Sequence, residues 1–200
     1  MGTQIRARTQ DLQSPTTASD PRQVTLHGDA VDVLTRWQAP TEDQEHLRSQ
    51  YVAHLAQRPD GVWRSCLPAH LTTGALVVSH DRRHVLLNLH RKARRWFHFG
   101  GHLEPDDLTL AGAALREATE ESGLAGLQVD SDPLHLSTHA VEFCGSGSAD
   151  HLDVRFLAVL GADTEPQASE ESLEVRWWPV HELPTEEPDM VEMIELGLQR

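Results

Sequence analysis

The chain has 200 residues, 38% hydrophobic and 24% charged, with a net charge of -14. That is enough for one ordinary domain with a real core and excludes a disordered chain; the acidic excess argues against a nonspecific nucleic-acid binder, which needs a basic footprint, and no run approaches the roughly 18 apolar residues that cross a bilayer. Cys66 and Cys144 make no disulfide framework, and Arg6 and Arg8 lack the apolar run of a secretory signal behind them, so the expected setting is cytoplasmic, without a nucleic-acid or membrane partner.

Residues 1–27 are polar and aperiodic, with Ser14-Pro15 and Asp20-Pro21, and read as a disordered tail. Residues 28–60 read as two N-terminal helices. The first runs from Asp29 to Trp37 and is ended by Pro40. Thr41 then has the place of an N-cap, with Gln44 three residues on, and Leu47, Tyr51, His54 and Leu55 follow at helical spacing to about Gln57. Two apolar runs, 74–78 and 85–89, flank Asp81-Arg82-Arg83 as a hairpin, and Trp96-Phe97-His98-Phe99 makes a very short strand ending at a Gly100-Gly101 turn. The densest positive charge, His90 to Arg95, lies just before that turn. It reads equally as a solvated loop or as a phosphate contact through Arg94 and Arg95.

A helix is expected over 108–122, with Asp107 or Thr109 at its start and Gly123 as a left-handed C-cap. Strands follow at 134–143, 152–159 and 174–178, with Gly145-Ser146-Gly147-Ser148 as a turn, and a terminal helix covers 188–199. Strands before and after one central helix give an α/β sandwich with a mixed sheet.

The central helix carries the chemistry. At about 100° per residue, Ala111, Ala114, Leu115 and Ala118 share one face, small enough for close approach to a sheet. Glu117, Glu120 and Glu121 are neighbours on an adjacent face, where like charges repel. An acidic solvated face is the bland alternative. Arg116 beside the cluster and the glycine pair before it favour a divalent-metal site instead. Carboxylate oxygens suit Mg²⁺ or Mn²⁺, and Mg²⁺ commonly shares its shell with substrate phosphate.

The segment 101–124 resembles the Nudix box: a glycine, five residues, an acid, seven residues, then Arg-Glu-U-x-Glu-Glu-x-Gly-U, with U apolar. Arg116-Glu117-Ala118-Thr119-Glu120-Glu121-Ser122-Gly123-Leu124 matches the second half at each defined position. The first half departs from it. Asp107 replaces the usual Glu, and eight residues rather than seven separate it from Arg116. This leaves the role of Asp107 open, because its side chain has less reach toward Arg116. The likeness extends weakly over residues 71–200, including Glu174 to Pro184, so that 61–200 is the expected Nudix domain.

The resemblance implies a Nudix-like α/β/α sandwich with an N-terminal helical extension, the latter a cap or a homodimer contact. It implies hydrolysis of the pyrophosphate bond of a nucleoside diphosphate derivative with Mg²⁺ or Mn²⁺. Glu117, Glu120, Glu121 and the Gly101 carbonyl would hold the metal, and Arg116 would orient the acids. Glu170, Glu171 and Glu174 are distant candidates for the general base, unless a box glutamate serves. His98 and His102, flanking the glycines, are further candidates for phosphate contact. Thirteen histidines also invite a second metal, with His139 and His151 on neighbouring strands, but no tight zinc-motif spacing is present, and ordinary strand and loop histidines are the favoured reading. Two alternatives share the fold: a prenyl diphosphate isomerase, which needs a suitably placed cysteine, and a non-catalytic nucleotide sensor.

Overall fold

The structure is a computed structural model and describes residues 21–144, 147–160, 165–170 and 172–200. Its central strand, β1 (Ala69–Val78), is buried from His70 to Val78, as a strand covered on both faces must be. On one edge β1 pairs antiparallel with β2 (His84–His90) at Val77–Val78, and with β4 (Phe99–His102) over Thr72–Ala75. On the other edge it runs parallel to β7 (Gly147–Leu160) from Ala69 to Val78. β2 also carries β3 (Trp96–Phe97) and β8 (Ser172–Pro179). β7 carries β5 (Leu127–Val129) and β6 (His135–Cys144). The sheet is therefore mixed, as expected.

Side-chain alternation divides the core between the two faces. Leu76, Val78, Val85, Leu87 and Leu157 meet Met190, Met193 and Ile194 of α4 (Pro188–Gln199). Ala75, Val77, Leu86, Phe99 and Phe156 meet α3 (Leu110–Ser122) and the N-terminal helices α1 (Pro21–Arg36) and α2 (Glu42–Gln57). No helix among the described residues is long and apolar enough to cross a membrane.

Several boundaries differ from the sequence expectation. α1 begins at Pro21, not Asp29, because Leu26 already belongs to the buried stripe continued by Ala30, Val33, Leu34 and Trp37. The tail expected through residue 27 thus ends no later than residue 20, and residues 1–20 lie outside the described residues. Gly100-Gly101 is not a turn. Both glycines sit inside β4, opposite Gly74 and Thr73. β5, three residues long, has no periodic signal to read. Of the expected Gly145–Ser148 turn, residues 145 and 146 lie outside the described residues, and Gly147 and Ser148 belong to β7.

The N-terminal helices are built into the same core as the sheet. β6 pairs with β7 alone among the described strands, which leaves its other edge to be covered. The buried Gln44 side chain covers it like one more strand residue: its Nε2 donates to the Leu136 carbonyl (3.0 Å) and its Oε1 accepts from the Leu136 N–H (2.7 Å). One residue further, the buried Tyr51 hydroxyl donates to the Ser137 carbonyl at 2.6 Å. Thr41 caps α2 as its spacing predicts, accepting from the Gln44 N–H.

Gln44→Ala strands a buried N–H and a buried carbonyl together. It is expected to cost about 1–3 kcal/mol, read as a lower urea midpoint at unchanged slope.

Candidate active site

α3 is held at both ends by its own sequence. Thr109, rather than Asp107, is the N-cap, its hydroxyl accepting from the Gly112 N–H at 3.0 Å. Gly123 ends the helix in the left-handed conformation (φ 68°), which glycine adopts without a Cβ clash. A further acceptor comes from the N-terminal extension, where Asp29 Oδ2 takes the Leu110 N–H at 2.8 Å. Ala113, Ala114 and Ala118 are fully buried, so the helix backbone lies close against β1 and β4.

Arg116 organises the acids. Each guanidinium N–H finds an oxygen. Nε donates to Asp107 Oδ1 (3.0 Å) and Nη2 to Asp107 Oδ2 (2.9 Å), a bidentate pair. Nη2 also donates to the His102 carbonyl (3.1 Å), and Nη1 to Glu117 Oε1 (3.0 Å) and Glu120 Oε2 (3.2 Å). The short Asp107 side chain therefore does reach Arg116. It succeeds because Asp107 sits in a tight turn, its N–H donating to the Glu104 carbonyl and its Oδ2 accepting from the Glu104 N–H. That turn brings a buried carboxylate up to the guanidinium, and the extra residue falls after it, between Asp107 and Arg116.

The glycines make room for the carboxylates. A Cβ on Gly101 would stand 2.7–2.9 Å from the Glu117 carboxyl atoms, so only glycine lets that carboxylate lie against the β4 backbone. A Cβ on Gly100 would meet the Thr73 carbonyl at 2.6 Å, so this glycine permits the close approach of β4 to β1. Glu121 Oε2 accepts from the Gly100 N–H (3.2 Å) and from Asn88 Nδ2 of β2 (3.4 Å). Asn88 is a site residue that the sequence reading missed, since nothing local distinguishes a strand asparagine. Burial raises the Glu117 carboxyl above its usual range, against the opposing pull of Arg116. Glu120 is the open member, with its side chain 60% exposed. Glu117 and Glu121 flanking the Gly100-Gly101 backbone, with Glu120 beside them, present hard oxygen donors, the set that suits Mg²⁺ or Mn²⁺.

The other expected site residues are scattered. Arg94 is exposed at the β2–β3 turn with φ 56°, and the exposed Arg95 is paired with Glu187. Glu170 is exposed on the turn before β8, where its carbonyl accepts from Arg91 Nε. Glu171 lies outside the described residues. Glu174 is exposed on β8 and alternates with Val175 and Trp177, which pack on the core shared with α3. It therefore points with Trp178 to the α4 side, away from the box.

His98, expected at phosphate, is turned inward. Its ring lies over Gly74, where a Cβ would be 2.8 Å away, and its Nε2 is 3.3 Å from Asp153 Oδ2, with the side chain 10% exposed. It belongs to a buried charge network. Arg155 Nε donates to Asp153 Oδ2 (2.7 Å) and Nη1 to Asp189 Oδ2 (2.6 Å), and Thr72 donates to Asp153 Oδ1. Burial opposes ionisation of Asp153, yet Arg155 and His98 hold its carboxyl well below the usual range. His135, 1% exposed, is faced by Arg155, Asp189, Glu192, Asp153 and His98. Burial first, then Arg155, brings its pKa down to about 4. His102 does not stand free either: its Nε2 is directed at Cys144 Sγ (3.3 Å). Burial, with Arg64 and His70 nearby, lowers it to about 4.

A family model described as NUDIX domain matches residues 68–196. No curated protein matches the chain. Several solved structures are similar in fold. The MutT protein of Methanosarcina mazei Go1 is 20% identical with a TM-score of 0.51, covering 66% of this chain and 94% of its own. A NUDIX-family hydrolase from Clostridium perfringens is 23% identical with a TM-score of 0.49, covering 67% and 100%. The NUDIX domain of Shewanella oneidensis NrtR, solved with ADP ribose, is 19% identical with a TM-score of 0.49, covering 68% and 91%.

The buried network gives the fold an acid limit. His135 titrates near 4 when folded against 6.5 when free, so the unfolded chain takes up its proton first. The stabilisation is complete above pH 6.5 and is lost as pH falls toward 4. For this group it amounts to at most on the order of 3 kcal/mol. Thermal melts between those limits are expected to show a falling Tm, with a shallower slope in His135→Asn.

Proposed function

The chain belongs to the NUDIX domain family and is a hydrolase acting on phosphoric anhydrides, and from that premise we propose that it cleaves the pyrophosphate bond of a nucleoside diphosphate derivative with Mg²⁺ or Mn²⁺. The observation that carries this reading is the complete engagement of Arg116 with Asp107, Glu117, Glu120 and the His102 carbonyl. It gathers the box acids beside the glycine strand. Asp107, Glu117, Glu120 and Glu121 against one guanidinium leave a strong local negative charge, which favours a dication.

Glu117, Glu120, Glu121 and the Gly101 carbonyl would hold the metal. When bound, a hard dication neutralises phosphate oxygens and lowers the pKa of a water beside them. The chain's own residues do the positioning. Arg116 holds Glu117 and Glu120 at one nitrogen, where alone they would repel. The Gly100 N–H and Asn88 fix one oxygen of Glu121. Asp107 locks the guanidinium from behind, where a lysine in place of Arg116 has no matching fork. A box carboxylate is the better acceptor for the proton of the attacking water, since Glu174 faces the other side of the sheet.

The test is a screen of nucleotide sugars, dinucleotides, nucleoside triphosphates and ADP-ribose with Mg²⁺ or Mn²⁺, scored for released phosphate or nucleotide. Metal-dependent release is expected from at least one member. Glu120→Gln is expected to lower it by orders of magnitude while leaving the melting curve in place, and full turnover in that variant would refute the ligand assignment. Asp107→Asn, which keeps the shape but loses the ion pair, is expected to cost roughly 10–100-fold in metal affinity or turnover. Binding of a nucleotide without release would mark a sensor, and conversion of a prenyl diphosphate without phosphate release an isomerase.

A further inference from the structure

Outside the box, four side chains from four different strands converge on one point. They are His70 of β1, His102 of β4, Cys144 of β6 and His151 of β7. Their ligand atoms all lie within 4.8 Å of one another. The Cys144 Sγ is 3.6 Å from His70 Nε2, 3.3 Å from His102 Nε2 and 3.3 Å from His151 Nε2. The three rings surround the sulfur with centroids 4.9–5.2 Å apart.

We propose that His70, His102, Cys144 and His151 form a closed four-ligand Zn²⁺ site that ties together the strands beside the box. The spacing fits the ion. Zn–S of about 2.3 Å and Zn–N of about 2.0–2.1 Å in a tetrahedron put sulfur and nitrogen about 3.5 Å apart. The arrangement of protons fits it too. The His70 Nδ1 lies 3.1 Å from the Cys66 carbonyl, which can only accept, so Nδ1 carries the hydrogen and the Nε2 lone pair faces the sulfur. Such a backbone partner on the far nitrogen is the usual support of a metal-bound imidazole. A thiolate and three such lone pairs would make a complete tetrahedral set for the ion.

The sheet builds this cluster. His70 and His151 are direct partners across the parallel β1–β7 pair. His102 stands opposite Thr72 on the other edge of β1. The β6–β7 register shifts between Val141 and Cys144, the kind of irregularity that re-aims a side chain. His70 and Cys144 are buried, and His102 and His151 half-buried.

The donor set separates this site from the box. One thiolate and three imidazoles suit Zn²⁺, whereas the box oxygens suit Mg²⁺. Four protein ligands leave no open position, which makes the site structural. Its benefit to the box is indirect. His102 follows Gly101, and its carbonyl receives Arg116 Nη2, so a cation on the His102 ring holds the backbone that Arg116 leans on.

The full-length chain, equilibrated with buffered Zn²⁺ in excess Mg²⁺ and then gel-filtered, is expected to carry about one zinc per molecule. Co²⁺ in its place is expected to show tetrahedral visible bands and a thiolate charge-transfer band. Cys144→Ser is expected to retain at least roughly tenfold less zinc and to lose the charge-transfer band. Cys66→Ser, which changes the other cysteine, keeps both, and Glu120→Gln keeps its zinc while losing hydrolysis. Zinc-free wild-type protein after equilibration, wild-type zinc content in Cys144→Ser, or a wild-type Co²⁺ spectrum without the thiolate band would each overturn the proposal. The last is read on the unmutated chain, so it decides even if Cys144→Ser does not fold.

Discussion

Arg116 donates from all five of its guanidinium N–H positions, and the box depends on that saturation. Three of the five hydrogen bonds run to Asp107 and the His102 carbonyl, which anchor the side chain to the turn and to β4. The remaining two, from one nitrogen, gather Glu117 and Glu120. A guanidinium bound only to the glutamates would move with them. Bound from behind, it becomes a fixed charge at which Glu117 and Glu120 are gathered. The turn at Glu104–Asp107 is thus as much part of the site as the helix, because it delivers a carboxylate to the fork despite the shorter side chain and the extra residue.

β1 is the element through which the parts of the molecule meet. Its pairing with β4 sets Gly101 against Glu117, and its pairing with β7 sets His70 beside His151. The same strand contributes Gly74, which makes room for the His98 ring, and Thr72, which donates to Asp153. The oxygen donors of α3 therefore lie against one face of the sheet, while the imidazoles with their thiol and the buried Asp–Arg pair occupy neighbouring positions on the other. Register keeps them apart, because a one-residue slip would send each side chain to the opposite face.

The N-terminal helices take part in the site at one remove. Gln44 and Tyr51 complete the open edge of β6, and Asp29 accepts the first N–H of the box helix. A carboxylate at that position also favours the helix dipole, and burial raises the Asp29 carboxyl above its usual range. The extension fills the role of a cap on the core, with the polar groups of Gln44 and Tyr51 meeting backbone that would otherwise be buried without partners.

Local order was legible in the residues themselves. The box helix and its Gly123 end, the Thr41 cap, the β1–β2 hairpin and the terminal helix follow from spacing, capping residues and alternation, which act within a few positions of the chain. The grouping of Glu117, Glu120 and Glu121 is legible for the same reason, since residues three and four apart on a helix are neighbours whatever surrounds them. Folding decided what is joined across long separations. The glycine pair reads as a turn until β1 is laid beside it, and His98 reads as a candidate phosphate contact until Asp153 arrives from β7. Glu174 reads as a candidate base until alternation turns it to the other face. His70, His102, Cys144 and His151 share no motif because strand pairing alone brings them together, and strand pairing is set by burial of whole faces rather than by spacing along the chain.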